Sequence, residues 1–175
     1  MTSNEALLTI AEIAIAIIGF AGIVSALRPE ALHAADALHR LRLRLMVEAS
    51  ASVMIYAFLP FVLMGIVSEQ QTWAIGSGIL AITSPVQVGS VYFRQRRLFG
   101  SALLRETLLF DTFVIIMAAG VEVILILNCF GVLFEPRFSG YLLGVLFPLG
   151  VAVAMFIRAI FASSGQGIDR DLTGK

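Results

Sequence analysis

The chain has 175 residues, 59% of them hydrophobic and 14% charged, with a formal net charge of zero and a mean hydropathy of +0.95. Globular domains carry about 25% charged residues, so a soluble core under a solvated surface is excluded, and these residues are expected to form one membrane domain without a separate catalytic module. A single cysteine, Cys129, excludes an internal disulfide and a multi-thiolate metal site.

The first apolar run is Leu7–Leu27. Val24-Ser25-Ala26 resembles a leader cleavage site, but Met1–Ala6 carries Glu5 and no Lys or Arg. A signal peptide starts positive, so the run is read as a true span. Glu12 falls near its outer end and shares a helical face with Glu5, Ala16, Gly19, Ile23 and Ala26, with Gly22 at the edge. Two readings stay open. Small residues let helices approach closely; alternatively, an acid followed by small residues and an aliphatic constriction lines a pore when repeated around an axis.

The linker Arg28–Arg44 is expected to be helical. Pro29 suits a first turn, Glu30 favours the positive end of the helix dipole, and Leu32, Ala35, Leu38, Leu41 and Leu45 recur at helical spacing. Arg44 and Glu48 can then pair at i, i+4. His33 and His39 fall on different faces, so no metal site is expected.

The remaining apolar runs are Leu45–Val67, Thr72–Tyr92, Leu108–Leu133 and Gly140–Phe161. Each covers a hydrocarbon core of about 30 Å at about 1.5 Å per residue. Tight hairpins at Ser68–Gln71 and Phe134–Ser139 make spans two and three antiparallel neighbours, and likewise spans four and five. Pro60, Pro85 and Pro148 free the carbonyls of Tyr56, Ala81 and Gly144 and, with nearby glycines, predict bent helices. Gln87, Thr83 and Ser84 are interhelical hydrogen-bonders in span three. Arg94, Arg96 and Arg97 form a lipid-headgroup anchor. An arginine followed by an acid, then a later proline, in each hairpin hints at a parallel duplication.

Glu122 is the sharpest signal, since it lies about midway along span four, where an ionised acid costs roughly 2.5–3.5 kcal/mol. Helical spacing puts Asp111, Ile115, Ala118, Glu122 and Cys129 on one stripe, expected to face protein or water. Glu122 is either a structural hydrogen-bonder to Gln87, Ser84 or Tyr56, or a group that carries a proton or cation. The tail 162–175, rich in Gly, Ser and Asp, is expected to be disordered.

Numbered alternately, the connecting segments sort the cations. Arg28, Arg40, Arg42, Arg44, Arg94, Arg96, Arg97, Arg105, Arg158, Arg170 and Lys175 fall on one side, and Arg137 alone on the other. Basic residues accumulate on the cytoplasmic side, so the amino terminus is expected outside and the carboxyl terminus in the cytoplasm.

The run Gly19-Phe20-Ala21-Gly22-Ile23-Val24, preceded by a glutamate, resembles the first span of small uncharacterised bacterial membrane proteins with a Gly-Phe-small-Gly-Ile motif. That resemblance implies a bacterial inner membrane and no known activity. The same run is similar to the pore helix of calcium-release-activated channels. The expected direction through the membrane is opposite and the span count differs, so no roles carry over.

The expected fold class is therefore all-α integral membrane: a five-helix transmembrane bundle over residues 1–161, assembled as a symmetric homo-oligomer in a multi-pass inner-membrane setting. The leading functional expectation is movement of a small cation or protons along an acid-containing path with Glu12, Gly19, Ile23, Asp111 and Glu122 as its candidates. The alternative is a non-transporting scaffold that binds a partner through its basic cytoplasmic face. No nucleophile–base pair, phosphate loop or zinc motif is present, so neither catalysis nor a cofactor is expected. The expected partners are the lipid bilayer, anionic headgroups and further copies of the chain, and no nucleic acid.

Overall fold

A computed structural model describes residues 2–27, 37–132 and 137–172, with side chains at 2–23, 43–94, 97, 112–132 and 137–158. Four helical elements account for the described chain: α1 (Ser3–Leu27), α2 (Ala37–Leu63), α3 (Glu69–Cys129) and α4 (Phe138–Leu172). No strand occurs among the described residues. Among the described residues five helical segments are long and apolar enough to cross a membrane, namely Ser3–Ile23, Leu43–Leu63, Glu69–Arg94, Thr112–Cys129 and Phe138–Arg158. Helices satisfy their own backbone groups, which is what a hydrocarbon solvent demands. Their outward faces carry bare apolar side chains, among them Ile55, Val62, Ile82, Val86, Phe113 and Ile116, a surface suited to lipid contact. The chain is thus built as a multi-pass membrane protein.

The ends of the helices follow from local chemistry. At the start of α1 the Thr2 N–H donates to Glu5 Oε2 at 2.6 Å and the Glu5 N–H to Thr2 Oγ1 at 3.3 Å, a reciprocal cap. Before α3, Gln71 Oε1 accepts from both the backbone N–H and the hydroxyl of Ser68. After α3, Gly131 adopts φ +73° and its N–H reaches Asn128 O while the Val132 N–H reaches Leu127 O. This left-handed cap disfavours any residue with a Cβ.

Two segments outside the expected spans are helical. The basic stretch Phe93–Thr107 is helical, so spans three and four belong to one 61-residue element. No proline falls within Phe93–Thr107, and a helix leaves fewer backbone groups unpaired beside a membrane than a loop does. The tail, expected to be disordered, continues α4 as helix to Leu172. Once a helix is nucleated, each added residue contributes a hydrogen bond without a new nucleation cost, which offsets the weak propensities of Ser163, Ser164, Gly165 and Gly167. Within the linker expected to be helical, residues 37–44 open α2, and 28–36 lie outside the described residues.

The chain divides into two compact units, one of Met1–Leu8 with Ile55–Phe147 and one of Thr9–Met54 with Pro148–Lys175. In the first, α3 doubles back on itself. Ser77 and Asn128 are hydrogen-bonded at 2.8 Å although 51 residues apart; a straight helix would separate them by about 76 Å. Ser77 meets Asn128, Gly78 meets the Cys129 sulfur and Ser84 meets Glu122. Advance along one arm is matched by retreat along the other, so spans three and four are antiparallel neighbours too. Trp73 packs edge-on against Phe138 at 5.0 Å and tilted against Tyr141 at 5.7 Å.

In the second unit, α1 buries Ile10, Ala11, Ala14 and Ala21, α2 buries Leu43, Met46, Ala49 and Val53, and α4 buries Leu149, Ala152 and Met155. Phe20 meets Phe156 edge-on at 4.8 Å. Arg44 Nε and Glu48 Oε1 form the anticipated ion pair at 2.8 Å.

Candidate functional site

Polar side chains gather in the first unit along the seam of α3's two arms, where α2 and α4 also pack. Pro60 is fully buried in α2 and has no N–H for the Tyr56 carbonyl four residues earlier. The Tyr141 hydroxyl of α4 donates to that carbonyl. Tyr56 in turn donates its hydroxyl to Thr83 Oγ1 at 2.9 Å, and Thr83 donates to Ile79 O at 2.8 Å. A helix break in one span is thus satisfied by a tyrosine from another. Gly76 makes room for it, since a Cβ there would come within 2.7 Å of the Tyr141 ring.

Asn128, which the sequence reading passed over, is fully buried. Its Nδ2 donates to Ser77 Oγ and to the Arg137 carbonyl, each at 2.8 Å. This one amide ties the two arms of α3 to the segment leading into α4. Its Oδ1 has no hydrogen-bond partner and rests against Gly140, where a Cβ would lie 2.7 Å from that oxygen. The overlooked signal was a lone amide inside the apolar run Leu125–Phe130. Asn128→Ala should lower the stability of detergent-solubilised protein by about 1–3 kcal/mol, because a buried hydroxyl and carbonyl lose their donor; a thermal midpoint equal to wild type would contradict this role.

Glu122 lies on the same seam. It shares a hydrogen bond with Ser84, one of the three partners anticipated, while Tyr56 is engaged by Thr83 instead. Its Oε1 is buried without a partner among the described residues. Between the Ser77–Asn128 and Ser84–Glu122 levels stand Leu80 and Leu125, each only 1% exposed. Both press on Gly144, where a Cβ would meet Leu125 Cδ2 at 2.6 Å and Leu80 Cδ2 at 3.0 Å. An aliphatic layer therefore separates the two polar levels. Of the stripe expected around Glu122, Ala118 and Cys129 are half-buried, Ile115 is exposed, and the Asp111 side chain lies outside the described residues.

Glu12, Gly19 and Ile23 belong to the second unit. All three are exposed, as is Ala16. At about 100° per residue their stripe lies roughly 180° around α1 from the buried Ile10, Ala14 and Ala21. A Cβ at Gly19 or Gly22 would meet nothing within 4 Å. Because α1 begins at Ser3, Glu12 sits about 13 Å along the helix, deeper than a start at Leu7 implies. Of the arginine anchor, Arg94 is half-buried and directs its Nε at Ser90 O, Arg97 is exposed, and the Arg96 side chain lies outside the described residues.

A shallow open depression lined by Thr2, Ser3, Asn4, Met64 and Glu69 occurs at one end of the first unit. Among the described residues no group of three or more His, Cys, Asp or Glu is placed to hold a metal ion. What the seam assembles is carboxyl, hydroxyl, amide and carbonyl groups, a set able to hold a cation or relay a proton. Comparison with protein-family models, with curated proteins and with solved structures finds no match to this chain.

Proposed function

We propose that this is a bacterial inner-membrane protein, amino terminus outside and carboxyl terminus cytoplasmic, that assembles as a symmetric homo-oligomer. It moves a small cation or protons along a helix-lined path, with Glu12 at the outer entrance and Glu122 as the interior acid. The observation that carries this reading is Glu12 itself. It is an ionisable group within a candidate span, exposed on the side of α1 opposite the buried face. Ionisable groups at membrane depth face a bundle interior or water rather than lipid, and copies of α1 around an axis supply both. The span carrying Glu122 is also the least covered by its own chain: 11% of it is buried, against 39% for Leu43–Leu63.

Flux tests the reading. In proteoliposomes loaded with a pH-sensitive or cation-sensitive dye, Glu122→Gln preserves shape and removes the titratable charge, so flux should fall sharply while the assembly stays intact. Flux equal to wild type from pH 5 to 9 would sink the role of Glu122. Orientation has its own check: cysteines at Gln70 and Ser139 should react with an impermeant thiol reagent outside whole cells, and one at Ser164 only after permeabilisation.

A scaffold without transport is the second reading, and the buried Leu80–Leu125 layer favours it. It predicts no dye response from wild type under any gradient.

A further inference from the structure

Proline interrupts three of the membrane spans, and each interruption strands one carbonyl: Tyr56 at Pro60, Ala81 at Pro85 and Gly144 at Pro148. In hydrocarbon a stranded carbonyl needs another partner. At Pro60 that partner is the Tyr141 hydroxyl. At Pro85 the stranded Ala81 oxygen points along the first arm of α3 toward the level of Ser84, since helix carbonyls point toward the carboxyl end. Ser77, Ala81 and Ser84 recur at i, i+4 and i+7, so Ala81 lies on the face of that arm that meets Asn128 and Glu122. Ser84 is bonded to the Glu122 carboxyl, and Glu122 Oε1 is buried with no partner among the described residues. Helical register thus puts the Ala81 carbonyl at the level of the seam where the Ser84 hydroxyl meets the Glu122 carboxyl.

We propose that Ala81 O, Ser84 Oγ and the Glu122 carboxylate form a binding site for one monovalent metal cation, Na+ or K+, an inference that rests on the reading of Glu122 as a pathway group. The ligand set is all oxygen, which suits hard cations, and it joins a stranded carbonyl to a side-chain acid as broken helices do in ion-coupled transporters. Charge selects the valence. One carboxylate neutralises one positive charge, whereas a divalent ion would leave a net charge buried beside Leu80 and Leu125. Ser84 turns its proton away and offers a lone pair when the ion enters. The leucine layer keeps Asn128 out of the ligand shell.

Detergent-solubilised full-length protein is titrated with NaCl or KCl, choline chloride holding the ionic strength, and read by calorimetry and by the thermal midpoint. Wild type should bind one ion per chain saturably, with a rise in midpoint. Glu122→Gln should weaken binding about a hundredfold, and Ser84→Ala roughly three- to tenfold. Pro85→Ala is the diagnostic variant. It supplies the missing N–H to Ala81 O, so the helix should be no less stable while affinity falls roughly three- to tenfold. Absence of saturable Na+ and K+ binding in wild type, or wild-type affinity in both Glu122→Gln and Pro85→Ala, overturns the site. Equilibrium binding and flux separate the two claims. Binding with no flux in liposomes leaves the site and removes the transport reading, whereas flux that depends on Glu122 without metal-ion binding does the reverse.

Discussion

Tyr141→Ala should destabilise the protein by about 3 kcal/mol, in the range for deleting a buried aromatic ring, and the loss should divide into a packing part and a hydroxyl part. The ring is fully buried, lies 5.7 Å from Trp73, and occupies the space that Gly76 leaves open. In a membrane the drive to bring helices together is packing and hydrogen bonding rather than release of water, so an empty ring site is not refilled by hydrophobic collapse. The hydroxyl part is isolated by Tyr141→Phe, which strands the Tyr56 carbonyl and should cost about 1–2 kcal/mol. Pro60→Ala then provides the decisive comparison. It restores an N–H to the carbonyl that Tyr141 serves, so Tyr141→Phe should cost much less in a Pro60→Ala background. Equal costs in both backgrounds, read from denaturation midpoints in detergent, would show that the hydroxyl and the proline break are not coupled.

How much of this was legible in the sequence depends on the range of the interaction. The apolar runs are local and intense, so five membrane-length segments could be read directly. The pairing of Arg44 with Glu48 needs only helical spacing, and a freed carbonyl needs only the position of its proline. The partner of that carbonyl is a different matter. Tyr141 reaches Tyr56 across 85 residues, and nothing in the spacing of α2 announces which later helix will pass its break. Asn128 was legible in kind but not in role, because a lone amide in an apolar run signals an interhelical contact without naming Ser77 or Arg137. That spans three and four form one helical element was hidden for a related reason. The Arg-rich stretch Phe93–Thr107 has the charge of a loop and the propensities of a helix, so composition alone left its conformation open. Ser84 was named among three partners for Glu122, since all three were polar and only the register of the folded arms distinguishes them.

The two faces of α1 give the sharpest separation between fold and assembly, and Gly19→Leu tests it. Within one chain a Cβ at Gly19 would meet nothing within 4 Å, and Ala16 and Ile23 on the same stripe are exposed. Leucine is also the better helix former by close to 1 kcal/mol, so the variant should fold as well as wild type or better. If copies of α1 pack face to face through this stripe, four added carbons at the closest approach force the helices apart, because such crossings depend on small residues. Light scattering in detergent should then show the protein mass falling from a multiple of 18.9 kDa toward a single chain, with helicity unchanged by circular dichroism. Gly144→Leu is the matched control. There a Cβ meets Leu125 and Leu80 inside the chain, so the damage should fall on stability first. Wild type that is monomeric at every concentration, or Gly19→Leu that keeps the wild-type mass, would remove the shared axis on which the path past Glu12 depends.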